Sequence, residues 1–263
     1  MHHRLFICCR TFLLASLTFG ICSPLANAQR GEISDIEISA QSSRDLSGLW
    51  EGRSPDFSSS DISANLLPGE EVSLTAYGAN RYRANDLSKF PGNICLPYGP
   101  TRAMHSLDPE EWVQSPDRLV ILFEQMSHYR IIYTDGRPHA EDAQEYPSWM
   151  GHAIGRWEGG ALAVDTIGID DRSWLDSRGF EHSDQLHIIE RYEKVDDDTL
   201  RLTFTVEDPV FFAKPFTYSI DKHRADPNQA PRILPQICNE NELDSRHIEP
   251  LPPAHRNAPT FPD

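Results

Sequence analysis

Residues Gly151–Asp176 read GHAIGRWEGGALAVDTIGIDDRSWLD, and the alternation in this stretch decides the fold class. Gly151–Trp157 alternates in character, Glu158-Gly159-Gly160 supplies a turn, and Ala161–Ile167 alternates again. That is the pattern of a β-hairpin. His152, Arg156, Glu158 and Asp165 sit in or beside its strands. Charged groups in a sheet are costly unless paired or facing water. The hairpin therefore borders a polar cavity or carries a buried ion-pair network.

The same reading extends outward in both directions. Leu119–Gln125 alternates, with Leu119, Ile121 and Phe123 on one face and Val120, Leu122 and Glu124 on the other. Tyr129–Thr134 returns, Asp135-Gly136 marks a turn, and Arg137–Trp149 is a polar loop. After the hairpin come the loop Ile169–Asp184, a strand over Gln185–Lys194, a turn at Asp196–Asp198 and a strand over Thr199–Glu207. Phe216–Lys222 adds one more. Upstream, Asp45–Arg53 reads as a first strand centred on Trp50. Ser54–Phe90 is weakly patterned, with helical character near Glu70–Ala84, and Pro91–Pro100 is a rigid loop. About eight strands, mostly hairpin-linked, give an all-β fold with an irregular N-terminal region. It is a single antiparallel lipocalin-like barrel or a sandwich, and the barrel is favoured.

The ends bound the compartment. Arg4 and Arg10 precede the apolar run Phe12–Ile21, and Ala26-Asn27-Ala28 is an A-x-A cleavage site. Residues 1–28 read as a signal peptide, residues 29–44 as a flexible leader, residues 45–240 as the β domain and residues 241–263 as an extended, proline-rich tail. A periplasmic or secreted location follows. No later segment reaches the roughly 18 consecutive apolar residues of a membrane span, so stable membrane insertion is not expected. Without the signal, 22 Lys and Arg stand against 40 Asp and Glu, a net charge of −18. Such acidity opposes nucleic acid as a partner. An oligomer is compatible with the sequence. Of five cysteines, Cys95 and Cys238 remain after cleavage. In an oxidising compartment they form one disulfide or stay as two free thiols.

No P-loop, dinucleotide fingerprint, GxSxG, HExxH or CxxC motif is present, so no cofactor is expected. Strand parity singles out Glu190, which shares a face with Leu186, Ile188 and Tyr192, and Glu124 beside Val120 and Leu122. A carboxylate among apolar neighbours has a raised pKa suited to acid–base work. Alternatively it pairs with an arginine such as Arg130, Arg156 or Arg191. His139, His152, His182 and His187 fall in the same third of the chain, and histidine carries protons near neutral pH. His187 and Glu190 have opposite parity and no tight HxH pair occurs, so no metal site is expected. The candidates for proton transfer are His152, Glu190 and His182. Arg156 and Arg191 are candidates for holding an anionic group. Trp174 is a stacking platform or a core plug, and Asp176 a site residue or a turn cap.

The stretch Gly151–Asp176, followed by HSDQLHIIERYEK and EDPVFFAKPF, resembles a family of exported bacterial proteins with the pattern GHSIGRWEGDTLVVDTxGF, then WLD, HSE, ERY and a DP-containing strand. CLPYGPTR, TDGRPH and ICNEN fit the same pattern, so the resemblance spans about Trp50–Asn241. Gly160 and Ala161 stand where the pattern has Asp and Thr, Ala153 where it has Ser, and Ala163 where it has Val. The resemblance implies an exported β fold and the Cys95–Cys238 pair, and leaves the activity open. Residue chemistry points to an exported β-barrel enzyme that uses acid–base catalysis on a small organic molecule, as a lyase, isomerase, cyclase or hydrolase. The alternative is a non-catalytic periplasmic carrier of a small hydrophobic ligand.

Overall fold

In a computed structural model of the chain, the described residues are 44–53, 61–236 and 238. The chain divides into Met1–Ser39 and Ala40–Asp263, and every described residue belongs to the second unit. The expected signal peptide, most of the leader and the tail from residue 239 lie outside the described residues.

Among the described residues, nine strands close into one barrel in sequential order. They are β1 (Gly48–Gly52), β2 (Glu110–Ser115), β3 (Arg118–Phe123), β4 (Tyr129–Tyr133), β5 (His152–Glu158), β6 (Ala161–Ile167), β7 (His187–Lys194), β8 (Thr199–Glu207) and β9 (Phe216–Arg224). The barrel expected from the sequence is thus present, with one strand more than counted. The extra strand is β2, whose inward positions include the acidic Glu110 beside Trp112. Glu110 lies buried because Lys222 pairs with it and Trp112 Nε1–H donates to it at 3.1 Å.

Period-2 alternation sets the two faces. On β7, Ile188, Glu190 and Tyr192 are buried while Ile189, Arg191 and Glu193 face outward. On β6, Leu162, Val164 and Thr166 are inside, and Asp165 is outside. The interior is filled by side chains, among them Trp50, Trp112, Tyr192, Phe204 and Tyr218. Burying each such ring contributes on the order of 2 kcal/mol.

All neighbouring strands pair antiparallel except β4 and β5, which run parallel and share only Ile132↔Ala153 and Tyr133↔Ile154. The expectation of a wholly antiparallel barrel therefore fails at this one seam, where the polar loop read after Asp135-Gly136 carries the chain to a parallel start. Ser148 pins that loop to the end of β6, its N–H donating to the Gly168 carbonyl at 3.0 Å and its carbonyl accepting from Asp170 N–H at 2.9 Å. Helix α1 (Ala76–Ala84) falls within the segment expected to be helical, and the short helix α2 (Pro100–Met104) follows the rigid loop. Cys95 and Cys238 are bonded, with Cα atoms 5.4 Å apart. No helix among the described residues is long and apolar enough to cross a membrane.

Candidate functional site

The outer face of the central hairpin carries a chain of ionisable groups. His152 on β5 and Asp165 on β6 both point outward, and the pinned loop brings His139 between them. His139 Nδ1 lies 2.9 Å from His152 Nδ1, and His139 Nε2 lies 2.9 Å from Asp165 Oδ1. The same Oδ1 is 3.1 Å from His187 Nε2, and His187 Nδ1 is 3.2 Å from Glu207 Oε2. The hydrogen-bond partners assign the tautomers. A carboxylate only accepts, so His139 donates through Nε2, and in its neutral form it accepts at Nδ1. His152 then donates through Nδ1, which leaves its Nε2 with a bare lone pair. Burial, then the neighbouring His139 and Arg137, lowers the pKa of His152. It is a neutral imidazole at pH 7.

His152 lines a groove of about 460 Å³ at the parallel seam, together with Tyr129, Ile131, Tyr133, Trp149 and His128. Gly151 sets its edge. At φ +65° it takes a conformation that L side chains rarely adopt, and a Cβ there would meet the Ile167 carbonyl at 2.7 Å. His128 donates through Nδ1 to the Gln125 carbonyl at 2.8 Å, and its Nε2 is buried without a partner among the described residues. Burial holds its pKa down at about 4. The groove thus presents aromatic rings and two neutral histidines. Beside it, a recess of about 250 Å³ is lined by Arg137, Arg156 and Asp165. Arg137 also lies 4.1 Å over the Tyr133 ring.

No protein-family model matches the chain, and no curated protein does. Among solved structures, a secretary abundant heat soluble (SAHS) protein of Ramazzottius varieornatus is similar at 13% identity. That match covers 68% of this chain and 95% of that one, with a TM-score of 0.31.

The residues singled out from the sequence fall in separate places. Glu190 is inside the barrel and makes a bidentate pair with Arg130, at 2.5 and 2.8 Å, with both side chains fully buried. Tyr192 Oη and Thr166 Oγ1 donate to it at 2.5 and 3.0 Å. Of the two alternatives for Glu190, this geometry is the arginine pair. Burial opposes the charge of Arg130, but Glu190 and Tyr192 outweigh it and raise the guanidinium pKa. His182 sits in the loop before β7, its Nδ1 donating to the Ser183 carbonyl at 2.9 Å and its Nε2 accepting from Ser173 Oγ at 2.8 Å. His152, Glu190 and His182 are therefore not brought together.

Glu124 does not continue β3 among apolar neighbours. It stands in the following turn and accepts from Leu234 N–H at 2.7 Å. Arg156 pairs with Glu158 at 2.7 Å on the outer surface, and Arg191 faces solvent near Glu193 at 3.8 Å, away from the groove. Trp174 is packed against Phe90, with ring centroids 5.4 Å apart, which makes it a plug. Asp176 caps its turn, accepting from the N–H groups of Ile62, Arg178 and Phe180. Burial raises its pKa to about 6 against those bonds. Among the described residues, no group of three or more His, Cys, Asp and Glu is placed to hold a metal ion. The sequence reading named neither His128 nor Trp149 as a site residue. Trp149, at the end of a polar loop beside Pro147-Ser148, was the signal for an aromatic wall.

Proposed function

We propose that the chain is an exported β-barrel enzyme performing acid–base catalysis, without a redox cofactor, on a small organic molecule held in the seam groove. The observation that carries this reading is the bare Nε2 of His152 beside the groove, with its Nδ1 held by His139 and His139 held by Asp165. In that arrangement His152 Nε2 takes a proton from a substrate carbon or from an attacking water and later returns it. The positive charge that develops on His152 is stabilised through His139 by the Asp165 carboxylate. Tyr129, Tyr133 and Trp149 bind the apolar body of the substrate. Arg137, paired with Asp135 at 2.6 Å, is the nearby cation at which an anionic group would dock. The disulfide and the expected signal peptide support a periplasmic or secreted location.

The test is deuterium exchange. Small carbonyl compounds are incubated with the protein in D2O, and exchange at the α-carbon is followed by NMR. Exchange with the wild type, falling at least about 100-fold in His152→Gln and similarly in Asp165→Asn, is expected. No exchange with any compound, or equal exchange in the variants, overturns the reading. The aromatic lining also favours a second reading, a carrier of a small hydrophobic ligand. In that case a ligand binds the groove saturably, unchanged in His152→Gln, and is released intact.

A further inference from the structure

The barrel end under α2 holds a concentration of unspent hydrogen-bonding capacity. His105, just past α2, is 1% exposed, and neither ring nitrogen has a partner among the described residues. Tyr218 on β9 is 0% exposed, and its hydroxyl likewise has none among those residues. The two rings lie 5.2 Å apart. Arg102 stands one helical turn before His105, on the same side of α2. Its Nε is buried without a partner, and the side chain makes no hydrogen bond or ion pair among the described residues. It lies over the rings of Tyr98, at 4.7 Å, and Phe90, at 5.7 Å.

The other charged groups nearby are already engaged. Lys222 pairs with Glu110 and donates to the Ser106 carbonyl at 2.8 Å. Asp176 spends its oxygens on three backbone amides. Asp108 accepts from Ser106 Oγ at 3.1 Å. Folded proteins leave few buried polar atoms unpaired, and each one left calls for a partner such as a water, an ion or a ligand. Asp176 and Asp108 favour the charge of Arg102 from a distance, without an ion pair among the described residues, and burial still lowers its pKa. Arg102 and Tyr218 each offer a donor, and His105 offers one N–H and one lone pair. The excess of donors, with a full positive charge, matches a group that accepts several bonds and is negative.

We infer that Arg102, His105 and Tyr218 form a second binding site, at the barrel end, for a small carboxylate. Its ligand is flanked by apolar rings, with Phe204 6.2 Å from the His105 ring. This site is separate from the seam groove and does not rest on the catalytic reading.

The test uses the full chain with sodium acetate as the probe and sodium chloride at equal ionic strength as the control. Acetate should raise the melting temperature saturably and shift the His105 ring resonances, while chloride does neither. Arg102→Met should lose both responses. Tyr218→Phe, which keeps the ring and removes only the hydroxyl, should weaken acetate binding about tenfold while the His152 resonances stay in place, showing an intact fold. A wild type with no saturable response overturns the inference. So does an equal response to chloride, or an Arg102→Met variant that responds like the wild type.

Discussion

Arg130 on β4 and Glu190 on β7 meet inside the barrel although β5 and β6 stand between their strands. Two guanidinium nitrogens reach the two carboxylate oxygens at 2.8 and 2.5 Å. Glu190→Gln removes the charge and leaves Arg130 buried without a counter-ion. The variant should lose about 3–5 kcal/mol of stability, read from chemical denaturation. The double change Glu190→Gln with Arg130→Met should recover most of that loss. An unchanged midpoint in the single variant would show that the pair contributes nothing.

His152 should titrate below the free-histidine value of about 6.5, because burial and the neighbouring His139 and Arg137 disfavour its charge. Nitrogen-15 NMR should show the Nδ1–H tautomer. In His139→Gln the midpoint should rise and yet stay low, since burial is the larger cause. A dominant Nε2–H form would break the assignment of the whole chain of histidines.

Stability should fall as the solution is made acid. His105 is held at about 3 and His128 at about 4, in each case mainly by burial. Their unfolded values lie near 6.5. The unfolded chain therefore binds more protons, and their contribution is present above pH 6.5 and lost between about 6.5 and 3. Asp176, raised to about 6, acts with the opposite sign. Its contribution is present below its unfolded pKa and is lost as the pH rises through about 6. Two large shifts outweigh the smaller one. Thermal melts between pH 7 and 4 should show a decline, shallower in His105→Phe. A flat profile would contradict the burial of both rings.

Gly168 has φ +66°, and a Cβ there would lie 2.0 Å from the Ala143 carbonyl oxygen. Gly168→Ala should cost at least about 2 kcal/mol through strain and clash. It should also move the pinned loop and break the contact of His139 with His152, visible as a shift of the His152 resonances. Wild-type stability in this variant would mean that the loop is not held where it is.

Replacing Cys95 and Cys238 with alanine opens a closed loop of 143 residues. The loss should be no more than about 4–5 kcal/mol. Melting with and without reductant measures it. The alanine variant should be insensitive to reductant, and a wild type equally insensitive would show that the bond does not stabilise the fold.

Much of the barrel was legible because alternation is a local property. The parity of β3, β6 and β7 could be read directly, and it placed Glu190 inside. β2 was not legible, because an inward glutamate between Pro109 and Pro116 reads as loop until Lys222 is seen opposite. The choice of Arg130 over Arg156 and Arg191 depended on strand register across the ring, which no single strand encodes. His139 reaches His152 only because the loop before β5 is pinned by Ser148 to Gly168 and Asp170. That is a tertiary contact with no periodic signature. Asp176 and Trp174 followed the simpler of their two readings, a turn cap and a plug, because each answers a local need for amide acceptors or apolar contact.

The Cys95–Cys238 bond encloses β2 through β9 in one covalent ring and leaves β1 outside it. Yet β1 is the stave that closes the barrel. It pairs with β2 at Gly48–Trp50 and with β9 at Trp50–Gly52, and it carries the buried Trp50. Eight strands could thus hold together as a cyclised shell with two open edges and a tryptophan-sized gap. The edges left open would be those of β2 and β9, which β1 pairs with in the closed barrel. A cut between β1 and β2 would separate the closing strand, with its Trp50, from the ring that the disulfide closes.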